Sequence, residues 1–109
     1  MTQQSDDQQS GKIIVRVDAD LQELIPGYLE NRHTDVKAML EALEQGDYET
    51  IRVLGHSMKG SGGGYGFDAI TEIGSALEQA AKAGDAEAIR QEVGTLQTYL
   101  QHVQVVYDS

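Results

Sequence analysis

Apolar residues recur at helical intervals in four separate stretches of the chain. Leu29, His33, Val36, Leu40 and Leu43 are spaced 4, 3, 4, 3, which predicts a helix from Pro26, a residue suited to a first turn, to about Gln45. Ile51, Leu54, Met58 and Tyr65 form a second stripe. Ile70, Ile73, Leu77 and Ala80 or Ala81 mark a third helix ending near Ala83. Ile89, Val93, Leu96, Leu100, Val103 and Tyr107, spaced 4, 3, 4, 3, 4, carry the last and strictest pattern. With a single proline and short turns, the pattern predicts an all-α, up-down four-helix bundle with a short N-terminal extension. In that extension Lys12–Val17 reads as extended, and Asp18 or Asp20 as the cap of a short turn through Leu24 and Ile25. Residues 1–11, with no apolar side chain after Met1, are expected to be a disordered lead-in, leaving 12–109 as the domain.

The turns are marked by a repeat. Gly46-Asp47-Tyr48-Glu49-Thr50-Ile51-Arg52 matches Gly84-Asp85-Ala86-Glu87-Ala88-Ile89-Arg90 at every position except Tyr48/Ala86 and Thr50/Ala88. In each copy the glycine is expected to end one helix in the left-handed conformation, the aspartate to cap the next, and the glutamate to favour its dipole. Two helical hairpins follow.

Composition narrows the partners. At 109 residues the chain holds one modest core and is expected to be monomeric. It has no cysteine, so no disulfide framework and no thiolate metal site, which suits a reducing cytoplasm. No apolar run approaches a membrane span, and the N-terminus lacks a signal-peptide pattern. A formal charge of −10 argues against nucleic acid.

Against that acidic background the second helix carries a basic, almost bare face. On a wheel of roughly 100° per residue, Ile51, Met58 and Tyr65 cluster with Leu54, while Arg52, His56, Lys59, Gly60 and Gly63 fall on the opposite side. His56 therefore points away from the core. Five glycines, at 55, 60, 62, 63 and 64, lie in or at the end of this helix, where each costs on the order of 1 kcal/mol relative to alanine. Helix ending explains Gly62 and Gly64, and close helix approach explains Gly55. Gly60 and Gly63 instead leave bare backbone beside His56, over which another protein's loops can reach the imidazole. An imidazole open to water keeps a free ring nitrogen at neutral pH, able to attack phosphorus. Lys59, one turn on, is placed to meet the charge of a phosphoryl group there.

The run Leu54-Gly55-His56-Ser57-Met58-Lys59-Gly60-Ser61-Gly62-Gly63-Gly64-Tyr65-Gly66-Phe67 resembles the signature of histidine-containing phosphotransfer (HPt) domains, H-x-x-K-G followed by a later glycine, here Gly66. The likeness runs from about Asp18 to Tyr107. It implies a phosphorelay carrier rather than an enzyme with its own ATP site: the histidine corresponding to His56 takes a phosphoryl group from a receiver-domain aspartate and passes it to another receiver. The implied partners are response-regulator receivers and a hybrid sensor kinase, with Mg2+ held by the receiver and no cofactor in this chain. Arg52, Gly60 and Gly63 would then meet the partner. Some members have glutamine where this chain has Glu78, facing the phosphorylation site, and an acid there would either repel the phosphoryl group or orient the imidazole.

Other chemistries fit less well. Gly55 to Gly60 has P-loop spacing, but Ser61 stands where lysine is needed and no strand precedes it. Gly64-Tyr65-Gly66-Phe67-Asp68-Ala69 matches a dinucleotide pattern outside any β-α-β setting. His33 lies on the first apolar stripe and reads as a partly buried, satisfied core histidine, His102 as solvated. A helical docking module without phosphate remains the alternative, disfavoured because it needs neither His56 nor Lys59. A kinase dimerisation domain would need an attached ATP-binding domain.

Overall fold

The computed structural model describes residues 12–108, so the expectation for residues 1–11 falls outside them. Four helices dominate: α1 (Ile25–Glu44), α2 (Tyr48–Ser61), α3 (Asp68–Lys82) and α4 (Ala86–His102). Each packs against its neighbours in sequence, and α4 returns to α1. The arrangement is the up-down four-helix bundle that the four stripes predict. Its core includes Ile25, Met39, Ile51, Met58, Phe67, Ile70, Leu77, Ile89, Val93 and Leu96, all shut off from solvent. Replacing Leu96, which is 0% exposed, with alanine is expected to cost about 2 to 5 kcal/mol in a denaturant titration; an unchanged midpoint would contradict its place in the core.

The repeated turns behave as their residues dictate. Gly46 and Gly84 end α1 and α3 with φ of 70° and 65°. Asp47 then accepts the Thr50 N–H at 3.1 Å, and Asp85 the Ala88 N–H at 3.1 Å. Asp18 likewise caps a 3-10 turn at Ala19–Leu21 by accepting the Asp20 N–H.

Two features differ from the sequence reading. The last helix stops at His102, and Val103–Asp108 is a strand, β2, paired in parallel with β1 (Ile13–Asp18) from Ile13↔Val103 to Asp18↔Asp108. Val103 and Tyr107 continue the helical spacing, but Val103, Val105 and Tyr107 also alternate. The β-branched and aromatic content of this run favours the strand. Val17 enters the core, the other residues of that face pack against it, and Ile14 and Val106 stay exposed on the outer face.

The second correction concerns α1. His33 and Leu40 are exposed, not part of the inward stripe, which runs through Ile25, Tyr28, Val36, Met39 and Ala42. The inner side differs from the spaced apolar residues because two charges occupy it. Arg32 donates to Asp35 at 2.8 Å, both largely screened from solvent, and its guanidinium lies 4.4 Å above the Tyr28 ring. Burial raises the Asp35 pKa despite the arginine beside it. A charged pair thus fills places that a hydrophobic pattern assigns to leucine.

Candidate functional site

The site begins with how closely α2 and α3 approach. Gly55 and Gly74 face each other across the interface: a Cβ on Gly74 would lie 2.5 Å from the Lys59 nitrogen and 2.7 Å from the Gly55 oxygen. A Cβ on Gly55 would meet the Glu78 nitrogen at 2.8 Å. Neither contact can be relieved by turning a side chain, because the obstructing atoms are backbone. The two bare positions let the helix axes come together, and that spacing puts Glu78 of α3 beneath His56 of α2.

Glu78 is the one buried polar or charged residue among the described residues, at 4% exposure. Its Oε2 lies 3.1 Å from His56 Nδ1, and its Oε1 accepts from Lys59 Nζ at 3.4 Å. Burial pushes the Glu78 carboxyl up, but the hydrogen bonds from His56 and Lys59 outweigh it and hold the group below the usual carboxylate range. It is therefore ionised at neutral pH and can only accept. The contact with Nδ1 accordingly requires the proton on Nδ1, so that in the neutral ring the lone pair is on Nε2. The imidazole is 67% exposed, so that nitrogen is open to solvent.

The glycine run forms the rim. Gly60 would meet nothing within 4 Å of an added Cβ, nor would Gly64. Gly63 is also exposed but belongs to a 3-10 turn, Gly63–Tyr65, that follows α2 rather than to the helix. Its N–H donates to Thr71 Oγ1 at 2.8 Å, and that hydroxyl donates to the Lys59 carbonyl at 3.0 Å. Gly66 closes the turn with φ of 94°, a conformation that glycine takes without strain. Tyr28 pins the loop from the α1 side: its ring stacks on Tyr65 and Phe67 at 4.5 and 5.8 Å, and its hydroxyl meets Ser61 Oγ at 2.9 Å.

His56, Lys59 and Glu78 are thus brought into one cluster. Gly60 lies on the same exposed surface, and Gly63 at its edge. Arg52 lies on α2 but is committed to Glu49, to which its Nε donates at 3.0 Å; that hydrogen bond and charge raise its pKa. His33 and His102 lie elsewhere: His33 beside Val36 and Leu40 in a shallow α1–α4 groove, His102 with Nδ1 against the Thr98 carbonyl at 2.9 Å. Sequence reasoning missed Gly74, Thr71 and Lys82, whose Nζ is 3.8 Å from Glu78 Oε2. Lys82 was detectable in principle, since it stands four residues after Glu78 on one helix face.

No helix among the described residues is long and apolar enough to cross a membrane. Comparison with protein families finds a match between residues 19–105 and the model described as the Hpt domain. Neither the curated proteins nor the solved structures give a significant match.

Proposed function

This chain belongs to the Hpt domain family, whose members carry phosphoryl groups in two-component signalling, and on that premise we propose that His56 is the phospho-accepting residue of a phosphorelay. The observation that carries the proposal is the ionised, buried Glu78 on Nδ1, which directs the free lone pair of Nε2 outward. In the reaction, Nε2 forms a bond to the phosphorus of a receiver's aspartyl phosphate while the bond from phosphorus to the carboxylate oxygen breaks, its electron pair leaving with the carboxylate. The ring becomes cationic. Nδ1 keeps its proton, and Glu78 stabilises the charge without any proton being lost. Onward transfer is the reverse step to a second receiver's aspartate. Lys59 meets the transferring group's negative charge. Mg2+ belongs to the receiver, and this chain supplies the nucleophile and its orientation. In this reading Glu78 orients the imidazole and is itself kept from the phosphoryl group by its burial. The test is labelling by a phosphorylated receiver, with one acid-labile, alkali-stable group expected at His56 Nε2.

Docking and chemistry separate at Gly60. The empty space around it lets Gly60→Gln fold normally, with relief of roughly 1 kcal/mol of glycine penalty in the helix, while a large side chain projects where the receiver approaches. Titration against an unphosphorylated receiver should show weaker binding by about tenfold or more, roughly one well-placed interface contact. Parental binding and transfer rates would remove Gly60 from the docking surface.

A further inference from the structure

Glu78 has three nitrogen partners, of which the carrier reading uses two. Oε1 faces Lys59; Oε2 faces both His56 and, at 3.8 Å, Lys82 of the next turn of α3. The side chains of Lys59 and Lys82 are 45% and 52% exposed, so either ammonium has room to swing. A phosphoryl group on Nε2 adds between one and two negative charges beside Lys59. When Lys59 turns to that group it leaves Glu78 Oε1, and the buried carboxylate then has the cationic ring on Oε2 but no lysine bonded to Oε1, a polar atom that is costly to leave unpaired. The other cation near this edge of α2, Arg52, is held by Glu49.

We propose that Lys82 is a positioning residue that takes over Glu78 when Lys59 turns to the phosphoryl group, so that the carboxylate keeps a lysine beside the cationic ring while Lys59 serves the phosphoryl group. The inference rests on the reading of His56 as the carrier. Lys82 acts through Lys59 and Glu78 and touches no reacting atom.

Phosphoramidate, a small donor, tests this without receiver docking. Nε2 attacks its phosphorus, the phosphorus–nitrogen bond of the N-protonated donor breaks, and ammonia leaves. After donor removal, decay of the phosphohistidine is followed by 31P NMR, with circular dichroism confirming that each variant is folded. Lys82→Ala should shorten the half-life about fivefold, the scale of one well-formed, partly exposed ion pair, and Lys82→Arg should restore it. On a Lys59→Ala background Lys82→Ala should have no further effect, because no lysine remains to be released. On Glu78→Gln it should again have none, because no buried charge needs a partner. A parental half-life for Lys82→Ala, or a full effect in either double variant, would overturn the role of Lys82 while the label on His56 kept the carrier reading intact. Absence of label at His56 in the parent would remove both.

Discussion

His56→Gln is expected to leave the helical signal and melting behaviour of the domain unchanged and to abolish its labelling by a phosphorylated receiver. The structural half of this expectation follows from exposure: the imidazole makes one side-chain hydrogen bond, to Glu78, and fills no part of the core. Glutamine retains an N–H donor for Glu78, which also keeps Lys59 and Lys82 beside it, so the buried carboxylate is not abandoned. The chemical half follows from the loss of the one nucleophilic nitrogen at the site. Labelling that survives the substitution, or that maps to His33 or His102, would defeat the assignment.

The second large effect is expected at Gly74, which takes no part in the chemistry. A methyl group there would overlap the backbone of Lys59 and Gly55 at 2.5 and 2.7 Å and the Met58 Cβ at 2.8 Å. Gly74→Ala must therefore push α2 and α3 apart. Core overpacking of this kind costs about 3 kcal/mol, which lowers Tm by about 12 °C or more in a domain of this size. The same movement draws Glu78 away from His56, so the variant should lose phosphorylation rate even at temperatures where it is folded. A melting temperature within a few degrees of the parent would show that the helices are not in contact here.

What could be read from the sequence was what short-range chemistry dictates. Gly46-Asp47 and Gly84-Asp85 announced their turns because left-handed glycine and aspartate capping need only adjacent residues. The outward direction of His56 is legible because Ile51, Leu54 and Met58 mark the inner side of α2. The inner side of α1 was misread because its Arg32–Asp35 pair satisfies itself, and a polarity pattern cannot distinguish a charge paired against a tyrosine ring from one in water. At Val103 the helical and alternating patterns coincide, and the presence of β1 as a pairing partner decided between them. Glu78 is legible as an acid facing the site but its role is not, since whether an acid repels or orients depends on a helix spacing set by Gly55 and Gly74 together. Gly74 alone looks like one more small residue.

The pairing of β1 with β2 bears on the order in which the molecule assembles. The two helical hairpins rest on contacts between segments close in sequence, which form quickly and with little loss of chain entropy, whereas the strands must bring opposite ends of the described chain together. That closure is favourable only once the helices have already drawn the ends near each other. On that ground the sheet is expected to be a late clasp, zipped onto a bundle that is already built, and its opening a local event that leaves the close contact of α2 with α3, and the His56–Glu78 pair within it, in place.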